Sequence, residues 1–454
     1  MLGGSMRWLL ERGKVQPDDL YVHLFASDQP EPPITAEVEW RKDSIFLAKI
    51  IERHLKQRGL AYTAVIERGG IQHEKTTTLR LPGRQIRIHS IPGNPADYRN
   101  MLDYFTRELA RLTQWVGEDG RVYLEVTGGT PAMASMMMVA GVETFGRQTH
   151  TLYSERGADR PYRVGIGRRF FARRAREVLR GQLELYAYKA ARATLDRETD
   201  LIVRDGERRK LIAALLDYAD RRLAFDFERA REALHEARQY ATGSVQSRVQ
   251  YHQRELREEQ DGIQSRAALL AELIHSTTIK YEWGDYADFS QRLFRFQEAV
   301  LRYLAEQMGL EYDDGNDRFA SMNWVKGVPE LKAFLDTYPV GSGQRGIKLN
   351  RTLNRASLGA IVDFFVERVE RWTFLKPTVE RIGRLSRLAS LRNRGLAGHG
   401  FEGIGKDDLS QAFGGEADKI IPLLKQIYAA VFEREVGPNP YHAVNKLIGD
   451  LLEA

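Results

Sequence analysis

Val122-Tyr123-Leu124-Glu125-Val126-Thr127-Gly128-Gly129-Thr130-Pro131-Ala132-Met133 reads as strand, turn and helix start in one unbroken stretch, and that order sets the class of the fold. Val122 to Val126 is β-branched and aromatic enough for a strand. Thr127 to Thr130 supplies the turn, and Pro131 suits the first turn of a helix, where its missing N–H costs nothing. The apolar run Ala132 to Val142 is far short of the roughly 20 residues a membrane helix needs, so it reads as a buried crossover helix.

Working outward, the same alternation repeats. Upstream, Leu20 to Phe25 reads as a first strand, Ser44 to Lys56 as a helix, Tyr62 to Ile66 as a second strand and Ile86 to Ile91 as a third. A helix from about Pro95 to Trp115 follows, and Thr149 to Tyr153 and Tyr162 to Ile166 close the series. Strands alternating with helices predict a Rossmann-like parallel sheet with helices on its faces, over residues 20–170. In such sheets ligands bind beyond the carboxyl ends of the strands. Two loops fall there: Ala26-Ser27-Asp28-Gln29-Pro30 after the first strand, and Thr127-Gly128-Gly129-Thr130 with Met133 after the Val122 strand. Glycines let backbone N–H groups approach a ligand, and the helix N-terminus behind them favours phosphate. The second loop is neither a GxGxxG dinucleotide fingerprint nor a Walker loop, since it lacks that spacing and the lysine. Taken alone, such a turn is more often structural than functional.

After Phe171 the strand signal stops. Leu179 to Asp196, Glu207 to Arg222, Phe227 to Tyr240 and most of Arg248 to Ser276 read as helices. We expect a helical connector over 171–280, or else a helical part of the last domain, which we expect as an all-helical bundle over 281–454. In that bundle Phe289 to Gln307 is an amphipathic helix, Leu358 to Phe374 another and Ala417 to Phe432 a third. Between the last two, Arg381, Arg384 and Arg387 recur every third position with Ile382, Leu385, Leu388 and Leu391 among them, which predicts one basic and one apolar helix face. Such a stripe is a solvated face or a phosphate track.

The stripe leads into Leu391-Arg392-Asn393-Arg394-Gly395-Leu396-Ala397-Gly398-His399-Gly400. Cleaving RNA without a metal needs a group that moves protons near neutral pH, as histidine does, and a cation for the charge growing on phosphate, as arginine does. On a continuous helix Arg392 and His399 share a face about 10 Å apart, with Gly395 and Gly398 able to interrupt it. Spacing alone decides little: Arg68 with His73, Arg84 with His89, and Arg229 with His235 have similar intervals. The fourth pair differs in its context, Asn393 beside Arg392 and Gly400 after His399. Its bland reading is a glycine-rich helix end with surface arginines.

The RN-x5-HG stretch resembles the nuclease motif of HEPN domains, and the TGGTPAM loop resembles that of CARF sensor domains. Together, in this order, they resemble the CARF–HEPN ancillary ribonucleases of type III CRISPR antiviral systems. The resemblance implies that Ala26, Ser27, Asp28, Thr127, Gly128, Gly129, Thr130 and Met133 bind cyclic oligoadenylate, a tetra- or hexa-adenylate, as allosteric activator. It implies that Arg392, Asn393, Arg394 and His399 form a metal-independent catalytic set, paired across a homodimer and cleaving single-stranded RNA, with no cofactor. It implies, too, that Ser27 or Thr130 could serve slow cleavage of the activator.

Two rivals remain open. Asp317 with Glu330-Leu331-Lys332 supplies the carboxylates of a metal-dependent nuclease, although Val328 to Leu335 reads as a helix where that motif needs a strand. The other rival is a regulator without catalysis, whose basic helices bind nucleic acid. Composition narrows the field less: a net charge of +6 over 454 residues is mild, and no cysteine means no disulfide and no thiolate metal ligand, which suits a reducing cytoplasm. Residues 1–19 read as an N-terminal extension whose first stretch, Met1 to Met6, is neither a signal peptide nor part of the fold, with Met6 a candidate start.

Overall fold

The structure, a computed structural model, describes residues 2–12, 15–28, 43–68, 71–155, 158, 160–258, 262–313, 316–340, 344–347, 352–388, 391 and 402–453. The chain divides between Arg176 and Glu177 into two units. In chain order the first contains α1 (Leu2–Glu11), β1 (Val22–Ser27), α2 (Ile45–Gln57), β2 (Leu60–Arg68), β3 (Ile71–Leu79), β4 (Ile86–Ile91), α3 (Tyr98–Leu112), β5 (Val122–Glu125), α4 (Pro131–Phe145), β6 (Thr149–Tyr153), β7 (Tyr162–Val164) and the start of α5 (Ile166–Glu184).

The parallel pairing read from the alternation is present. β1 runs parallel to β4, with Val22 opposite Ile86 and Ser27 opposite Ile91, and β5 runs parallel to β6. The short β7 is antiparallel to β6. Each parallel pair is joined through a helix, because a tight turn cannot return a strand in the same direction. Asp97 caps α3 by accepting from the Arg99 and Asn100 N–H groups at 2.9 and 3.2 Å. Met101, Tyr104, Phe105 and Leu109 then form its buried face against Ala132, Met133 and Ala140 of α4.

Two features depart from expectation. The N-terminal extension is not outside the fold where it is described: Met6 and Leu10 of α1 bury with Leu20, Leu55, Leu79 and Ile86. Such burial is worth about 1.5–3 kcal/mol per side chain, so α1 belongs to the core. The second strand is longer than predicted and pairs antiparallel with an unpredicted partner, β3, from Leu60 opposite Leu79 to Arg68 opposite Ile71.

The second unit is helical: α6 (Tyr188–Arg197), α7 (Thr199–Ile202), α8 (Gly206–Leu223), α9 (Phe227–Tyr240), α10 (Gly243–Glu258), α11 (Gly262–Glu282), α12 (Tyr286–Gln307), α13 (Met322–Gly327), α14 (Leu331–Thr337), α15 (Arg355–Arg368), α16 (Lys376–Leu385), α17 (Lys406–Phe413), α18 (Ile420–Phe432) and α19 (Pro440–Glu453). Two short antiparallel ribbons interrupt it, at Tyr312–Asp313 with Asn316–Ala320 and at Pro339–Val340 with Gln344–Arg345. Its main core gathers Phe289, Phe296 and Val300 of α12, Ile361 and Phe365 of α15, and Leu424 and Ile427 of α18.

Leu179 to Asp196 is not one helix. Tyr186 takes a left-handed backbone (φ 51°) between α5 and α6. Its hydroxyl lies 2.7 Å from His442 Nε2 of α19, and Asn445 on the same helix donates to the Leu183 carbonyl at 2.7 Å. α19 also meets the buried pair Arg222–Glu272, which links α8 to α11 through contacts of 3.0 and 2.7 Å, when Tyr441 donates to the Glu272 carboxylate. The last helix in sequence thus packs on α8 and α10 among the first of this unit.

Candidate functional site

Hydrogen bonds gather the segments that follow β1, β4 and β5. Asp28 donates its N–H to the Ile91 carbonyl at 3.0 Å and accepts from the Ser90 hydroxyl at 2.6 Å. Tyr104 of α3 donates to the Ser90 carbonyl at 2.8 Å, and Thr130 donates to the carbonyl of Pro95, just beyond β4. Of the two loops singled out in the sequence, the first is therefore tied to the end of β4 and the second to the segment just after it. Asp28, Gly128 and Gly129 are exposed, Thr127 and Thr130 half-buried, and Ala26, Ser27 and Met133 buried.

Each loop has a local reason for its shape. Gly129 sits at φ 88°, where a side chain is disfavoured, and a Cβ there would come 3.2 Å from Met133 Sδ. Thr130 is the N-cap of α4, accepting from the Met133 N–H at 3.1 Å, with Pro131 next. The positive end of a 15-residue helix therefore stands directly behind exposed glycines, an arrangement that suits phosphate. Ser27 and Ser44 clasp β1 to the start of α2: the Ser27 N–H donates to Ser44 Oγ at 2.9 Å, and the Ser44 N–H donates to Ser27 Oγ at 3.0 Å. Both hydroxyls considered for activator cleavage, Ser27 and Thr130, are thus engaged inside the protein.

Sequence reasoning missed the residue beneath the second loop. Glu125 accepts from the Thr127 N–H at 3.2 Å and from the Thr127 hydroxyl on one oxygen, and from the hydroxyls of Ser5 and Ser154 on the other. The Ser154 N–H donates to Thr127 Oγ1 at 2.6 Å. A carboxylate in an otherwise apolar strand was the available signal; Ser5, on α1, had none.

Arg392, Asn393, Arg394 and His399 lie outside the described residues, but the segments on either side are placed. Ile382, Leu385, Leu388 and Leu391 are buried, Arg384 and Arg387 exposed and Arg381 half-buried, as the stripe predicted, although α16 ends at Leu385 and a 3-10 turn, Ser386–Leu388, follows. Gln297, buried in α12, holds this end: its side-chain amide donates to the Ile382 carbonyl at 3.0 Å and to Ser386 Oγ at 2.6 Å, while Arg355 donates to its oxygen at 3.2 Å. Beyond the motif, the Gly405 N–H donates to Asp408 at 2.8 Å to start α17, and Leu409 and Phe413 bury in the core. Asp418 joins Lys406 at 2.9 Å to the Tyr281 hydroxyl at 2.6 Å.

The rival carboxylate motif falls on a helix start. Glu330 is the left-handed N-cap of α14 (φ 62°) and Lys332 lies within it. Among the described residues no group of three or more His, Asp or Glu is placed to hold a metal ion, and no helix is long and apolar enough to cross a membrane. Two half-buried imidazoles on the first sheet, His23 Nδ1 and His89 Nε2, lie 2.9 Å apart, and burial pulls His23 down to about 4, so both stay neutral near pH 7.

No protein-family model matches the chain, and no curated protein does. Among solved structures, Enterococcus italicus Csm6 bound to cyclic hexa-2'-fluoro-hexa-dAMP matches with a TM-score of 0.58 at 14% identity, over 81% of this chain and 83% of that one. Both the α/β unit and the helical unit are needed for coverage of that extent. The expected architecture, a small parallel sheet followed by a helical bundle, is borne out, and the chain has the fold of that Csm6.

Proposed function

We propose that the chain is a cyclic-oligoadenylate-activated endoribonuclease of type III CRISPR defence, with its sensor in residues 20–170 and its reaction centre between Arg392 and His399. The observation that carries this reading is the exposed Gly128-Gly129 turn directly before the α4 N-terminus, with Thr130 tied to Pro95 just beyond β4 and Asp28 tied to the end of β4 itself, within a fold shared with a protein solved with a cyclic hexanucleotide. A ring of phosphates and bases suits exposed glycines backed by a helix dipole. Ala26, Ser27 and Met133 support that surface from below.

In the reaction, His399 accepts the proton of an RNA 2′-hydroxyl as that oxygen bonds to the adjacent phosphorus. The bond to the 5′-oxygen breaks, and that oxygen takes up a proton from solvent water or from the protonated imidazole, leaving a 2′,3′-cyclic phosphate and a 5′-hydroxyl. Arg392 or Arg394 holds the charge on the crowded phosphate, and Asn393 orients it. DNA lacks the attacking hydroxyl and stays intact. A homodimer brings two motifs into one cleft, and the activator works by binding one arrangement of the protomers better than another. Degradation of the activator by the sensor would require Ser27 or Thr130 to exchange its internal bonds for the ligand.

The test is single-stranded RNA cleavage in EDTA by the wild type and His399→Ala, with cyclic tri-, tetra- and hexa-adenylate supplied separately. Activity with one ring size, lost in His399→Ala, is expected. Activity that EDTA abolishes, or that His399→Ala retains, overturns the mechanism.

A further inference from the structure

Phe374 is 65% exposed, on a short 3-10 turn, Glu370–Leu375, that directly precedes α16. The turn is firmly seated, because Leu375 is buried and Trp372 packs against the core of the helical unit. Phe374 stacks on Trp372 with ring centres 6.3 Å apart and planes at 30°, and the Arg371 guanidinium lies 5.3 Å over the indole. An exposed ring, Phe374, is thus held in water beside an indole that carries a cation over its face. A large apolar ring left in water on a fixed turn marks a surface suited to a partner.

The surrounding charge names the kind of partner. Between Arg371 and Arg387 the chain carries five cations, Arg371, Lys376, Arg381, Arg384 and Arg387, against one carboxylate, Glu380. On α16, Thr378, Ile382 and Leu385 are buried, whereas Lys376 and Arg384 are exposed and Arg381 is half-buried. Ten residues of helix carry this basic face about 15 Å along. Aromatic faces take up bases regardless of sequence, and a cationic edge follows the phosphates; single-stranded nucleic acid is bound by that combination.

We propose that Phe374 and Trp372 are a base-stacking platform for single-stranded RNA, with Arg371, Lys376 and Arg381 along its phosphates, on the segment leading into the Arg392–His399 motif. The proposal rests on the ribonuclease reading for its role but is tested apart from it. Fluorescence anisotropy of a labelled RNA of about 16 nucleotides, with the full-length His399→Ala chain and activator, reads binding without cleavage. Phe374→Ala in that background should weaken binding about tenfold, and Phe374→Tyr should restore it. The slope of log affinity against log salt should be unchanged by Phe374→Ala and reduced by about 1.4 in Arg371→Gln/Arg381→Gln, two phosphate contacts of about 0.7 each. Equal RNA affinity in parent and Phe374→Ala overturns the platform, as does a Phe374→Ala chain that loses an oligomer in light scattering while binding RNA normally. If the wild type cuts RNA and Phe374→Ala leaves KM unchanged, the platform falls and the ribonuclease stands. If the wild type never cuts RNA yet binds it through Phe374, the reverse holds.

Discussion

Gly128 and Gly129 are neighbours in one loop, yet alanine should affect them in opposite ways. At Gly129 the backbone has φ 88°, and a Cβ would meet Met133 Sδ, Cε and Cβ at 3.2, 3.3 and 3.4 Å. An L-residue held left-handed costs about 1–2 kcal/mol, and the methionine must give way as well. For a unit of this size each kcal/mol moves the melting temperature by about 2–4 °C, so Gly129→Ala should lower it by roughly 3–8 °C. At Gly128 a Cβ meets nothing within 4 Å. Gly128→Ala should leave the melting temperature unchanged or raise it slightly, because alanine narrows the unfolded ensemble. On the proposed reading of this loop, however, the added methyl would keep a ligand phosphate from the backbone N–H groups. Calorimetric titration with cyclic hexa-adenylate should show Gly128→Ala weakened about tenfold or more, the loss of about one charge-assisted hydrogen bond. Normal affinity in Gly128→Ala would refute the close approach of a ligand to this loop. An unchanged melting temperature in Gly129→Ala would refute the conformational reasoning.

Two further predictions concern the helical unit. Arg222→Met strands the Glu272 carboxylate, which is 1% exposed, and should cost about 3–5 kcal/mol in urea unfolding; Arg222→Met/Glu272→Met should recover most of this, and a single variant that loses nothing would deny the pair its structural role. His275 is pulled by burial from 6.5 to about 4. The folded state keeps it neutral while the unfolded chain protonates below 6.5, so its contribution is intact above pH 6.5 and lost progressively toward pH 4, about 2 kcal/mol by pH 5. Unfolding of the wild type at pH 7 and 5 should show that loss, and His275→Gln should flatten it; equal pH dependence in both would contradict the burial effect.

Strong periodicity made most elements legible. β4 and β6 begin and end where the alternation placed them, and α9 spans Phe227–Tyr240 as read. β3 was missed because Ile71-Gln72-His73-Glu74-Lys75-Thr76-Thr77-Thr78-Leu79 is too polar to look like a strand, although Gly69-Gly70 before it is a hairpin signal. α1 was missed because Gly3 and Gly4 dilute a short helix whose Met6, Leu9 and Leu10 nonetheless share a face. The break at Tyr186 had no glycine or proline to announce it. Hydrogen bonding and packing with Tyr188, Tyr441 and His442, more than 200 residues away for the last two, sustain that strained backbone.

The candidate site divides in the same manner. Local chemistry in the sequence determined that a glycine turn would lead from β5 into the N-terminus of α4, and that Arg381, Arg384 and Arg387 would face away from Ile382, Leu385 and Leu388. Those features depend on residues a few positions apart, whose spacing on a helix or strand is set by backbone geometry alone. Only the tertiary structure decided that Asp28 would be tied to the end of β4 and Thr130 to the segment after it, that Glu125 would anchor the loop through Ser5 and Ser154, and that Gln297 would hold the helix before the motif. Those contacts join residues 29 to 120 positions apart, and which buried carboxylate or amide finds which donor is settled by packing, because a polar group left unsatisfied once the core closes costs free energy.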